Sequence, residues 1–544
     1  MAGTSERRGG AAGIVLLTLA AGQFLMVLDS SVMNVSIATV AKDVGTTVTG
    51  IQTAITAYTL VMASLMVTGG KIGQILGRKR AFAIGCAIYG CGSFVTSISP
   101  SLGVLMFGWS LLEGAGAALI LPAIVALVAS NFPQSERPRA YGLVASAGAI
   151  AVAAGPLIGG LFTTYLSWRW VFAGEVVIVL AILALTRRMA DVEPESHVRL
   201  DLVGTALSAL GLGLIVFGIL RAGTWGFVRP KPGAPEWIGL SPTIWLVLAG
   251  GGVIWLFLQW EQRRLGRGEE PLVDPAILRN SRLRGGLTSF FFQYSLQAGL
   301  FFAVPLFLSV ALGLSAVETG VRLLPLSITL LLAAAGIPKV FPDASPRRVV
   351  QLGFLALVAG IVVLVAALDA GAGAEIVTWP MLLAGLGVGA LASQLGSVTV
   401  SAVPDELSGE VGGLQNTVTN LGASIGTALT GAVLIAALTS SFLTGVAQNS
   451  AVPASVKSQA STELGGGVPF ISDAQLESAL KEAGVPAKAS QAIVDENETA
   501  RLAGLRSAMS MLAVVALLAL FFSRGIPTEQ PAPPGLPEPR PEPA

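Results

Sequence analysis

Three acidic residues sit where the chain is otherwise apolar: Asp29 in FLMVLDSSVMNV, Glu113 in FGWSLLEGAGAA and Glu175 in RWVFAGEVVIVLAIL. A charged side chain at the centre of a bilayer costs roughly 2.5–3.5 kcal/mol or more, so such groups face a partner or a cavity and mark ion and substrate paths. A carboxyl group taken out of water favours its neutral form, which lets it bind and release a proton near neutrality. Proton-coupled transport requires that property. The bland alternative is a neutral acid hydrogen-bonded to a neighbouring helix, and it asks the same of the fold. No nucleophile–base pair stands out. His197 is the single histidine, and Cys86 and Cys91 lie five positions apart in one apolar stretch, matching neither a local disulfide nor a metal spacing. An enzyme, a cofactor and a metal centre are not expected, and no Walker pattern suggests an ATP-driven pump.

Glycines mark the elements that must position these acids. Gly148–Gly160, GAIAVAAGPLIGG, lies in a long apolar run just before Ser167–Phe172, SWRWVF. Gly155, Gly159 and Gly160 remove the side chains that keep a neighbouring helix away, and Pro156 interrupts the hydrogen-bond ladder. Such a helix suits tight packing, or a bend where two halves of a membrane protein move against each other. Asn420–Gly431, NLGASIGTALTG, carries Gly422 and Gly426 four apart at the corresponding place later in the chain, a weak sign of an internal repeat. A basic loop, Gly70–Arg80, offers Gly73 and Gly77 for a turn, while Arg78, Lys79 and Arg80 suit helix-end carbonyls or anionic lipid.

Composition places all of this in a membrane. Hydrophobic residues make up 53% of 544 and charged residues 12%, about half the usual charged share of a soluble chain. A span needs roughly 20 apolar residues. The sequence predicts an all-α polytopic membrane protein with 14 transmembrane helices, at 13–36, 54–73, 81–99, 102–130, 141–164, 169–186, 202–220, 241–260, 286–311, 320–338, 349–368, 379–403, 413–438 and 505–523. Their spacing gives a cytoplasmic N-terminus at 1–12, a six-helix bundle at 13–186, a linker at 187–201 and an inserted helix pair at 202–260. A basic linker at 261–285, a second six-helix bundle at 286–523 and a Pro-rich tail at 524–544 complete the chain. With both termini cytoplasmic, about two thirds of the 33 Lys and Arg fall on the inner side, as the positive-inside rule asks. The segment 440–503 is then external. Within it Ser472 is placed to cap a short helix that Gly484 ends, and Asp495–Arg506 to lead helically into the last span.

The chain resembles the major facilitator superfamily over residues 11–523, specifically its fourteen-span drug:proton antiporter family of multidrug exporters. The first-span run is similar to that family's signature, with Asp29 and Asn34 on its acid and amide. Ala57-Tyr58 matches the start of the second span, although Thr53 replaces a tryptophan. Gly148–Gly160 with Ser167–Phe172 resembles the antiporter signature and its following Trp-Arg-Trp run. In the loop Gly70, Gly77, Arg78, Lys79 and Arg80 match, while Gln74 and Ile75 depart. In the fourth span Gly114 and Gly116 match, but Ser110 stands where an arginine is usual and Glu113 follows. Glu175 stands where an asparagine is usual. The resemblance implies a fifth span between two halves, with the first and fourth lining a cavity, and proton-driven export of lipophilic, often cationic, compounds. The implied partners are membrane lipids, a small-molecule substrate and protons, with no nucleic acid, for a monomer in the cell membrane. A lipid or metabolite transporter on the same scaffold, without proton coupling, is the alternative.

Overall fold

The computed structural model describes residues 2–132, 137–189, 200–231, 233–369, 371–403, 408–464 and 467–529. His197 and Arg199 of the expected linker, and the tail beyond 529, lie outside the described residues, as do the side chains of Arg7 and Arg8.

Long apolar helices dominate because the stretches between turn residues are long enough to satisfy their backbone internally, as a bilayer demands. The first group comprises α1 (Ala2–Val35), the short α2 (Ile37–Asp43), α3 (Val48–Leu76) and α4 (Arg78–Ser97). It continues with α5 (Leu102–Leu105), a π-helical segment Met106–Glu113, α6 (Gly114–Asn131), α7 (Arg137–Tyr165) and α8 (Arg169–Thr186). Thr47 caps α3 by accepting from the Gly50 N–H at 3.2 Å. Gly77 alone separates α3 from α4, with φ 92°, a conformation open to glycine and costly for other residues. Lys79 then donates to the Met189 carbonyl at 2.7 Å beyond the end of α8.

The pair α9 (Leu202–Trp225) and α10 (Pro242–Gly266) pack on each other. Helix α10 outruns the expected boundary at 260 and carries Glu261 and Arg264 beyond it. Asp201, just ahead of α9, accepts from the Gly204 N–H and from Trp260 Nε1 at 2.8 Å, and lies 3.5 Å from Arg264. The pair touches both groups of helices. Thr205 meets Thr68 of α3 at 3.0 Å, and Gly223 lies against the backbone of Ala432.

The second group is α11 (Ser281–Leu306), α12 (Ala316–Val340), α13 (Pro346–Ala367), α14 (Thr378–Val400), α15 (Ser408–Gln448), the short α16 (Ala454–Glu463) and α17 (Asp473–Glu482), and α18 (Ala487–Phe522). Ser472 and Gln475 form a capping box at the start of α17, and Gly484 follows its end with φ 70°. The buried Arg501 of α18 reaches the Ile471 carbonyl at 2.9 Å and Asp473 at 2.6 Å, which pins α17 to the long last helix.

The expected count of fourteen spans is wrong. Among the described residues twelve helices are long and apolar enough to cross a membrane, or thirteen if the bent α7 counts as one. The expected span 81–99 falls on α4, which opens with Arg78, Lys79 and Arg80 and then carries Gly85, Gly90, Gly92, Ser93, Thr96 and Ser97. Charges and small polar residues leave too little apolar side chain over its 20 residues.

Candidate functional site: a buried carboxyl triad

Helices α1, α4, α8 and the π-helical segment bring Asp29, Glu113 and Glu175 together. One carboxylate oxygen from each lies within 4.8 Å of the others, and all three residues are at most 1% exposed. The segment Met106–Glu113 is wider than an α-helix, a form frequent at functional sites. It buries Trp109, Ser110 and Glu113 on one side. Gly92 of α4 permits the approach: a Cβ there would stand 2.6 Å from Glu113 Cγ and 2.7 Å from the Gly108 carbonyl.

Each acid is held by one oxygen. Trp109 Nε1 donates to Asp29 at 2.6 Å, Thr96 Oγ1 to Glu113 at 3.1 Å and Ser93 Oγ to Glu175 at 3.0 Å. Ser93 and Thr96 share a face of α4 because they are three residues apart, so one helical turn serves two acids. Tyr58 of α3 stacks on Trp109, with centroids 5.0 Å apart and planes 6° from parallel. Ser110 ties the π-helical segment to the Ala54 carbonyl of α3 at 2.8 Å. Among the described residues the second oxygen of each acid has no hydrogen-bond partner, and neither has the buried hydroxyl of Tyr58 or Tyr89. Among the described residues no Lys or Arg forms an ion pair with any of the three. Removing such groups from water is costly unless a proton or a cation compensates the charge.

Asn34 does not join them. It is half-buried and donates to the Ser30 carbonyl of its own helix at 2.7 Å. The triad sits inside the first group of helices, sealed from solvent. Trp109, Tyr89, Ser93 and Thr96 were not singled out in sequence, and Tyr58 was named only in the match to the start of the second span. Trp109 one turn before Glu113, and the Ser93/Thr96 pair in an apolar helix, were the available signals.

The glycines divide into two uses. Gly155 packs on Ser31 and Gly159 on Val32, both in α1, while a Cβ at Gly148 would stand 3.3 Å from Gln23 of the same helix. Gly422 packs on Phe291 and Gly426 on Ser295, both in α11. These are contacts within a group of helices. Gly160 instead crosses to α12, where a Cβ would stand 2.5 Å from the Ala316 carbonyl, and Gly320 of α12 closes on the Pro156 carbonyl. Helix α7 bends by 44° between Ser146–Val152 and Ala154–Tyr165. Proline cannot donate to the carbonyl four residues back, which here is Val152. Ser327 of α12 donates to that carbonyl at 3.4 Å. The other crossing is α3 to α15, where Gln52 Nε2 donates to the Thr427 carbonyl at 3.0 Å and Ser424 Oγ to the Thr56 carbonyl at 3.0 Å. The expected loop 70–80 is helical apart from Gly77: Gly70 and Gly73 lie within α3, where a Cβ at Gly70 would stand 3.7 Å from Pro122, while Arg78 and Arg80 open α4 beside Lys79.

Two groups of helices that meet along α7–α12 and α3–α15, with buried acids in one of them, define a multi-pass membrane protein of the transporter class. The Major Facilitator Superfamily description matches residues 19–427, and the chain belongs to that superfamily. It is 31% identical to the puromycin resistance protein pur8 of Streptomyces alboniger, over 76% of this chain and 80% of that one. It is 29% identical to the tetracenomycin C resistance and export protein of Streptomyces glaucescens, over 77% and 75% of the two chains. Among solved structures, an auto-inhibited peptide transporter of the POT family shares the fold, with a TM-score of 0.58 at 14% identity over 96% of this chain and 98% of that one. The family and the fold are those of transporters, not enzymes.

Proposed function

We propose that this protein exports lipophilic, cationic small molecules across the cell membrane in exchange for protons, as a drug:proton antiporter working by alternating access. The carrying observation is the carboxyl triad, joined to the inter-bundle contact by a short physical path. Trp109 bonds Asp29 and stacks on Tyr58, and two residues before Tyr58 the Thr56 carbonyl accepts from Ser424 of the opposite bundle. A change of charge in the triad thereby bears on the surface where the bundles meet, which is what exchange requires. Asn34, partly exposed one turn beyond Asp29, lines the substrate path. Gly160 and Pro156 form the moving contact with α12, while Gly148, Gly155, Gly159, Gly422 and Gly426 hold the helices behind it. The loop cations Arg78, Lys79 and Arg80 brace the inner face. Extra acids beside the path favour cationic substrates through charge complementarity. The names of the two Streptomyces relatives, which speak of resistance and export, support the outward direction.

The test is substrate-induced pH change in sealed proteoliposomes, with puromycin as one of the compounds tried. Proton movement that appears on adding substrate and vanishes in Asp29→Asn supports exchange; substrate flux without proton movement overturns it. A second reading, an uncoupled lipid or metabolite transporter, draws on the sealing of the triad away from solvent, and that same uncoupled flux is its signature. Both termini are placed in the cytoplasm on the Lys and Arg distribution. An impermeant thiol reagent should then label a cysteine at Ser472 in intact cells; labelling only after lysis reverses the orientation.

A further inference from the structure

Three carboxyl groups in one apolar pocket, with no Lys or Arg in an ion pair with them among the described residues, leave the question of what compensates their charge. We propose that Asp29, Glu113 and Glu175, with the hydroxyls of Tyr58 and Tyr89, form a binding site for a desolvated hard cation of calcium-like size, either Ca²⁺ or Na⁺.

The donor set argues first. All five groups present oxygen, and hard cations take carboxylate and neutral oxygens where softer ions seek nitrogen or sulfur. One oxygen of each acid, Asp29 Oδ2, Glu113 Oε2 and Glu175 Oε1, lacks a hydrogen-bond partner among the described residues, as do both hydroxyls. Tyr58 of α3 and Tyr89 of α4 are 2% and 0% exposed, and their hydroxyls have no hydrogen-bond partner among the described residues. Five buried polar groups with unfilled valence around one point are rare in folded chains, where such groups are almost always satisfied.

Size argues second. The carboxylate oxygens lie within 4.8 Å of one another. An ion at the centre of a triangle with sides no longer than that is at most about 2.8 Å from each corner, which leaves room for the 2.3–2.6 Å of calcium–oxygen contacts, while magnesium gives up its water reluctantly.

The outer shell argues third. Trp109 Nε1, Thr96 Oγ1 and Ser93 Oγ each donate to one oxygen of an acid, which holds the carboxyl group in place and leaves its second oxygen free. Such partners orient ligands in metal sites. A proton competes for the same oxygens, so the cation is a rival occupant of the exchange site and its binding falls as the medium is acidified.

Equilibrium binding of radiolabelled calcium and of radiolabelled sodium to the purified full-length protein, in potassium buffer at neutral and acidic pH, tests the site. Thermal unfolding with and without each ion gives a second readout. Saturable binding of one ion, a raised unfolding temperature and weaker binding at acidic pH are expected, with magnesium a poor competitor. Glu175→Gln should abolish the binding. Should that variant fail to fold, Ser93→Ala, which removes only the outer partner of Glu175, should weaken it about 10- to 100-fold, and Tyr89→Phe should weaken it while preserving volume. Absence of saturable binding of both ions at millimolar concentration, or binding unchanged in Ser93→Ala and Tyr89→Phe, overturns the proposal. Proton exchange measured in sodium-free medium with a calcium chelator separates the two readings. Exchange without cation binding sinks the cation site alone, and cation binding without exchange sinks proton coupling alone.

Discussion

The two bundles use one packing device and differ in chemistry. In the first, Gly155 and Gly159 of α7 close on Ser31 and Val32 of α1; in the second, Gly422 and Gly426 of α15 close on Phe291 and Ser295 of α11. Each bundle thus clamps its first helix with a glycine pair four residues apart. What the clamped helix carries is different. Helix α1 buries an acid, Asp29, with one oxygen unpartnered, whereas α11 buries an amide, Gln293, whose Oε1 is also unpartnered. An amide cannot take up a proton near neutrality. The lesson is that the packing device repeats while, among the described residues of the two bundles, the buried acids lie in the first alone.

The sharpest way to break this contrast is to exchange charge for amide in the first bundle and remove the amide in the second. Asp29→Asn and Glu113→Gln are expected to fold and to lose proton exchange down to the level of empty vesicles, with Glu113→Gln reducing export of cationic compounds more than of neutral ones. Gln293→Leu is expected to retain proton exchange. Loss in the Gln293 variant and retention in both acid variants would place the chemistry in the wrong half.

A somewhat smaller effect separates the clamp from the crossing. Leucine at Gly159 or Gly426 overpacks a contact inside one bundle and should cost about 1–3 kcal/mol of stability, read as a lowered unfolding temperature. Gly160→Leu pushes against Ala316 and Val317 of the opposite bundle instead. It should leave each bundle folded, stop transport and slow disulfide formation between cysteines placed at Thr164 and Val317, whose side-chain oxygen and N–H now meet at 3.1 Å. Equal cross-linking in Gly160→Leu and the parent would remove the distinction.

The second crossing is weaker. Gln52→Leu removes the bond to the Thr427 carbonyl, worth about 1 kcal/mol net, roughly a fivefold shift in the balance between conformations. A comparable shift in the accessibility of a cysteine at Asn34 measures it. Smallest of all is the capping box on α17: Ser472→Ala should cost about 1 kcal/mol locally, seen as faster amide exchange over 473–482, with transport unchanged.

Much of this was legible in the sequence and part was not. Glu113 and Glu175 were visible because an acid in an apolar run has few permitted surroundings, and the α17 cap because Ser472, Gln475 and Gly484 carry their signals locally. The partners of the acids were hidden, because Ser93, Thr96 and Tyr89 reach them only once Gly92 lets α4 touch the π-helical segment. That segment itself leaves no periodic trace in eight residues. The count of spans failed at α4 because the apolar run from 81 was read without the cations that open its helix or the small polar residues within it. Gly422 and Gly426 were read as a sign of an internal repeat, but small residues announce only that a neighbour is near, not which one.

The bond from Ser327 to the Val152 carbonyl carries one further consequence. Pro156 leaves that carbonyl without its own donor, and the bundle across the interface lends one. When the bundles part, the loan ends, and a backbone acceptor left dry costs about 1–3 kcal/mol. Water must therefore enter the elbow of α7 as it opens, which makes hydration part of the opening coordinate. Solutes too large to enter that crevice should slow the transport cycle as their osmolality rises, and Ser327→Ala, whose carbonyl is already dependent on water when closed, should respond less.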